Sequence, residues 1–312
     1  MDILYKGADI TDDVNVTRCI CRDASCGRAD SLDIEFDHAA AWYQWQPQVD
    51  DEIAVYLDGY SSGKMYVNTF APEGDKFRIL ATALPSSARR LAWAGYEGMT
   101  FADIMHRCAV EAGLDAALYG TEGNMRYPYL LREYKGCAAF MDRLAMREGI
   151  ALKASNGKFR AISVEYAQDL DAVCSLWIDT TLEGVIHLRQ ESKKYSSLTV
   201  QALARNAKVS AIDSAAKYGS AQTVPLPAYD TAQAGRWARG TLLMHNRQQE
   251  HLKIKTDFNP ALSAMVRVDV ESPQDESASI TTTGAWIVHE VEHDLLNRSS
   301  TPDLVRVIST VK

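Results

Sequence analysis

Residues 286–296 read Trp-Ile-Val-His-Glu-Val-Glu-His-Asp-Leu-Leu, and within them His289-Glu290-Val291-Glu292-His293 matches the HExxH pattern letter for letter. On a helix, that pattern places two imidazoles one turn apart, ready to share a zinc ion, with the glutamate as general base. On a strand, the same histidines share a face but stand ~13 Å apart, at ~3.3 Å per residue. A zinc–nitrogen bond is about 2 Å long, so one ion cannot bridge that gap. Helix or strand therefore decides both fold and chemistry. The flanks favour a strand. Trp286, Ile287, Val288 and Val291 are aromatic or β-branched, and Thr281, Thr282, Thr283 and Gly284 precede them. No third ligand follows at metalloprotease spacing, because positions 296 and 299 are Leu and Ser and no Glu lies beyond Glu292.

The rest of the chain reads in the same key. Residues 16–21, 32–37, 52–57, 64–70 and 76–83 alternate apolar with polar, as half-buried strands do. Residues 58–63 form a hairpin loop between two of them. Thr100 is an N-cap for a helix bearing Phe101, Ile104, Met105 and Cys108 on one stripe, with Gly113 as its stop. A second helix covers about 137–148. The strands at 150–154 and 158–162 flank an Asn156-Gly157 type I′ turn. Strands are also expected at 197–202 and 265–270, and a helix over 231–248. Gly95-Tyr96-Glu97-Gly98 and Gly120-Thr121-Glu122-Gly123 read as turns, and 271–277 as a polar, exposed loop.

Bulk properties narrow the function classes. The chain has 312 residues and a net charge of −8, with no Lys/Arg run longer than two, which argues against tight nucleic-acid binding. No apolar run is long enough to span a bilayer, and the first residues lack a signal-peptide core. A soluble protein made in the cytoplasm is expected. Six cysteines at irregular spacing read as free thiols. No GxSxG, Walker A or strand–GxGxxG–helix pattern is present, so no catalytic residue, metal ligand or cofactor is assigned and the chain reads as non-enzymatic.

Two segments carry a family likeness. Residues 132–152 contain Phe140, Arg143, Leu144, Glu148, Gly149 and Ile150 in the arrangement of "FLxRLxxEEGI". Asn259-Pro260-Ala261-Leu262 precedes Trp286-Ile287-Val288-His289-Glu290-Val291-Glu292-His293, which fits "NPxLxxGxxVxV" followed by "Y.V..V.H", with Val288, Val291 and His293 in register. The chain resembles the late-control D family of contractile phage tail baseplate hub proteins, related to the hub portion of type VI secretion VgrG spikes. The likeness runs in order along nearly the whole chain, although Met146-Arg147 stand where acidic residues are common and Ala264 or Met265 replaces a usual Gly.

The resemblance implies an α+β, mainly β fold of two tail-tube-like β-barrel domains with a smaller α/β insertion. Its spans would be 1–85 (first barrel), 86–165 (insertion with two helices and a hairpin) and 166–312 (second barrel region with one helix, which could also complete the first barrel). It further implies a homotrimer joining the hexameric tail tube to a trimeric central spike, the spike being a separate protein. Tape-measure and baseplate wedge proteins would be further partners. DNA would pass through the lumen without specific binding, and an acidic lining would suit that passage. The subunit would be made in the host bacterial cytoplasm and built into the baseplate of a virion or phage-tail-like particle. Trp42, Trp45 and Trp177 are candidate interface anchors, with burial in the core as the competing role. Two other readings are open: a tail-associated zinc hydrolase using His289-Glu290-x-x-His293, and a carbohydrate-binding tail module presenting some of the six tryptophans.

Overall fold

In the computed structural model, which describes residues 1–179, 184–202, 207–273 and 281–312, the decisive stretch is extended. It lies in strand Gly284–Asp294, eleven residues long. Along one edge this strand pairs antiparallel with Ser299–Arg306. The other edge is divided. Residues 284–287 face Arg267–Glu271, whereas residues 290–294 face Val16–Ala24. The strand therefore welds two arms of one sheet.

The first arm continues from Val16–Ala24 through Ser31–Asp37, Lys76–Thr82, Met65–Glu73 and Glu52–Leu57 to Asp2–Tyr5, every pair antiparallel. The second runs through Ser299–Arg306 and Glu250–Lys253 to Ile186–Arg189, with Ser175–Trp177 added beyond Arg267–Glu271.

The register shifts between Val288 and Glu290, which leaves His289 as a bulged residue where the neighbouring strand changes. The extra residue has a consequence for sidedness. Trp286, Val288 and Val291 all enter the hydrophobic cluster of the second arm, and Ile287 faces the larger core. Strict alternation would have put Val291 on the opposite face from Val288.

Helix α1 (Ala39–Trp45), which the sequence reading did not anticipate, lies against the first arm. Trp42 is fully buried there, stacked 5.4 Å from Phe77 and 4.6 Å from Phe36.

The middle of the chain is mixed, as expected. Helix α2 (Phe101–Ala112) begins with a Thr100/Asp103 capping box and ends at Gly113 in the left-handed region. Helix α3 (Cys137–Arg147) leads into a three-stranded sheet of Ile150–Ser155, Lys158–Ser163 and Asp115–Tyr119. Residues 95–98 are not a turn. They lie in strand Ala92–Thr100, which pairs with Arg126–Lys135 as a two-stranded ribbon. Gly95 pairs there opposite Leu131, beside the Tyr129 ring. A short helix, α4 (Val164–Asp169), follows.

Helix α5 (Thr231–Asn246), N-capped by Asp230, packs against a third sheet of Ala207–Ile212, Tyr195–Ala202 and Ser220–Ala228. Of the polar loop expected at 271–277, residues 274–277 lie outside the described residues.

The fold is mainly β with a mixed α/β centre. One hydrophobic cluster draws residues from Ile3 to Val311, crossing all three expected spans. A buried lysine reinforces the join. Lys153 is 5% exposed and reaches Asp23 on the first arm and, at 3.3 Å, Asp30. Burial and the neighbouring Asp23 raise the Asp30 carboxyl above the usual carboxylate range, and Lys153 opposes that rise.

Candidate functional site

The HExxH residues are spent on structure. His293 is fully buried and uses both ring nitrogens. The Leu262 carbonyl, 3.1 Å from Nε2, can only accept, so Nε2 donates and Nδ1 accepts from Ser300 Oγ at 2.9 Å. Ser300 Oγ in turn accepts the Asn259 backbone N–H at 3.0 Å, and Asn259 Oδ1 accepts from Ala261 N–H. Thus Asn259 and His293, 34 positions apart by their numbers, are two bonds from each other through Ser300. Tyr60 and Phe258 rings flank the imidazole at 4.8 and 5.6 Å. Burial lowers the His293 pKa, which favours the neutral ring that this network requires.

His289 is elsewhere, in the bulge. Its Nδ1 is buried with no hydrogen-bond partner among the described residues. Burial, helped by the Arg247 charge, lowers its pKa to about 4. Its ring lies 6.0 Å from His251, whose own Nδ1 bonds Asp303 at 2.8 Å. Glu290 pairs with Arg28 at 2.7 Å and Glu292 with Arg22 at 2.7 Å. The would-be general base is thus held by a guanidinium, and the two histidines sit in separate networks on extended backbone.

The second signature forms a joint between α3 and α5. Phe140 and Leu144 are buried, with Phe140 stacked on Tyr96 at 5.2 Å, and Arg143 points outward. The Glu148 side chain is only 2% exposed. Its Oε1 accepts from Tyr127 Oη at 2.9 Å and from Trp237 Nε1 at 2.8 Å; its Oε2 accepts from Arg236 Nε at 3.0 Å. Gly149 follows at φ +70° and leads into buried Ile150. Across from it sits Gly240 of α5, where a Cβ would lie 2.2 Å from the Arg147 carbonyl oxygen and 2.4 Å from Gly149 N. The Arg147 guanidinium rests over the Trp237 ring at 4.7 Å. Tyr127, Arg236, Trp237 and Gly240 were not singled out as site residues from the sequence; their closeness to Glu148 is a tertiary fact with no local pattern.

The three candidate anchors separate. Trp42 is 0% exposed and already covered by its own chain, which makes it a core residue. Trp45 is half-buried against Trp42 at 5.0 Å. Trp177 is 67% exposed on Ser175–Trp177, the outermost strand of its branch. Trp286 is core as well, its Nε1 donating to the Thr282 carbonyl at 2.8 Å beneath the Arg306 guanidinium.

The chain shares its fold with tail proteins. A tail protein from Neisseria meningitidis aligns with a TM-score of 0.76 at 13% identity, covering 98% of this chain and 95% of the other. A prophage tail protein from Shewanella oneidensis gives 0.73 at 12% identity, with 98% and 97% covered. An Escherichia coli component of the type VI secretion system, described as structurally similar to T4 bacteriophage tail proteins, gives 0.59 at 13% identity, with 99% and 77% covered. No protein-family model and no curated protein matches the sequence. Among the described residues, no helix is long and apolar enough to cross a membrane.

Proposed function

We propose that this chain is a structural baseplate hub subunit of a contractile tail or injection machine: a homotrimeric adaptor joining the hexameric tail tube to the trimeric central spike. The supporting observation is a shared fold over nearly the full length of two tail proteins and of this chain. The two-armed sheet agrees with it. Three chains with two tube-like halves each present six related edges to a sixfold tube and three subunits to a threefold spike. The signature residues act as scaffold in this reading. His293, Asn259, Val288, Val291 and Trp286 fix the weld between the arms, and Phe140, Leu144, Glu148, Gly149 and Ile150 fix α3 against α5. Tape-measure and wedge proteins would be neighbours, and the acidic balance suits a lumen that DNA passes without sticking.

Trp177 is the proposed interface residue. Its exposed ring offers a large apolar contact on an open strand edge. The test is mass photometry of the purified chain, alone and mixed with its tube and spike proteins, together with the Trp177→Ala variant. A trimer, weakened by Trp177→Ala with the subunit still folded, is the expected result. A chain that stays monomeric beside those components would overturn the hub reading.

A further inference from the structure

Among the described residues, each strand of the ribbon of Ala92–Thr100 and Arg126–Lys135 has a strand neighbour on one side only. Helix α2 lies near the first strand and α3 near the second. Beyond the free edge of Arg126–Lys135 runs a groove of about 550 Å³, closed on its far side by α3 and by residues 227–229. Its strand side includes Tyr129 and Leu131 from the outer face and Leu130 from the inner face, so the groove follows the edge between them. Tyr129 and Leu131 are 54% and 41% exposed. Pro128 lacks an N–H, and the register shifts between Arg132 and Lys135, so the regular open edge is the short run 129–132.

The charge of the groove is the second observation. Lys135, Arg143 and Arg147 line it against one carboxylate, Glu133. None of the three cations has an ion-pair partner among the described residues. Burial lowers the Arg147 pKa, and Arg143, one turn away on α3, adds to that by repulsion. Elsewhere in this acidic chain cations are commonly paired, as Arg22, Arg28, Lys64, Lys76 and Arg132 are.

We infer that this groove receives a short extended segment of another polypeptide, alternating apolar and acidic side chains, which adds a third strand at residues 129–132 and sets its carboxylates against Arg143 and Lys135. Main-chain bonds supply affinity in this mode, and the flanking side chains supply selectivity. The inference does not depend on the hub reading, since a chain that never trimerises still presents the groove.

The probe is a capped, fluorescein-labelled heptapeptide of alternating valine and glutamate, followed by anisotropy with the full chain. Saturable binding is expected, with the edge-facing amides among 129–132 newly protected from hydrogen exchange. Arg143→Glu, on an exposed side chain, should weaken it by about tenfold or more, the worth of one charge-assisted bond. Alternate N-methylation of the peptide should abolish it. Equal binding of the N-methylated peptide, or of a valine–lysine version, overturns the inference, as does no saturation at all. So does self-association of the free chain that Arg143→Glu dissolves, which would make a second copy the occupant.

Discussion

Replacing Glu148 tests whether the α3–α5 joint holds the molecule together. The carboxylate is nearly fully buried and accepts three donors, two on Oε1 and one on Oε2. Glu148→Ala strands the Tyr127 hydroxyl, the Trp237 indole N–H and the Arg236 guanidinium. Each unsatisfied buried donor costs about 1–3 kcal/mol; the Arg236 side chain is 36% exposed and can turn to water, so the loss falls mainly on Tyr127 and Trp237. The donors share one acceptor group, so these figures overlap rather than add, and about 4 kcal/mol is expected. That is a large part of a typical stability of about 5–15 kcal/mol. Glu148→Gln should cost about half as much, because its amide oxygen can still serve Tyr127 and Trp237 while its NH₂ faces the donor of Arg236. Urea unfolding followed by tryptophan fluorescence measures both. A loss under about 1 kcal/mol for the alanine variant, or equal losses for the two, would refute the assignment of Glu148 as the shared acceptor.

Gly240→Ala should destabilise by about 2 kcal/mol or more despite alanine's higher helix propensity, because its Cβ meets backbone atoms at 2.2 and 2.4 Å; thermal melting checks it. Stability should also fall in acid through His289. Its folded pKa of about 4 lies below its ordinary 6.5, so the unfolded chain takes the proton first; the contribution is full above about pH 6.5 and fades toward pH 4. Between about pH 8 and pH 5 that amounts to about 2 kcal/mol, and denaturation of His289→Asn at both values should show a shallower pH slope than the parent. His251, raised by Asp303, works in the opposite sense, and the comparison of parent with variant isolates His289.

Much of this architecture was legible locally, and the reasons differ by element. Helix α2 announced itself through Thr100 and Gly113, both of which perform the capping roles their chemistry suggests. The Asn156-Gly157 turn was equally plain, both residues having positive φ. The ribbon was hidden because Gly95 and Gly98 resemble turn residues. Gly95 in fact pairs opposite Leu131, a residue 36 positions away by number, and nothing nearby encodes that pairing. Helix α1 was hidden because neither end carries a side-chain cap. His38 and Gln46 bound it at φ 62° and 49°, and its stability comes from Trp42 entering the core. The Glu148 site joins residues 21 and 88–89 positions apart, and no local pattern records such a meeting.

The bulge at His289 explains the pattern of burial along the strand. Residues that share a strand face are two apart, yet the buried residues of one face are Trp286, Val288, Val291 and His293, with a gap of three in the middle, while Ile287 is buried on the other face. An extra residue inserted into a strand produces that gap. His289 is thus the one residue too many for two alternating faces, and the bulge absorbs it. Were the strand to run regular with His289 kept, Val291 and His293 would turn out of the core, which exposes a large apolar side chain worth about 1.5–3 kcal/mol and opens the Ser300–Leu262–Asn259 network. Deleting His289 instead leaves Val288 and Val291 two apart, so Trp286, Val288, Val291 and His293 fall on one face of a regular strand. The deletion variant should therefore fold and melt cooperatively, and so should His289→Ala, which keeps the bulge. A deletion variant that is unfolded while His289→Ala melts near the parent temperature would mean that the weld between the arms needs the bulge itself.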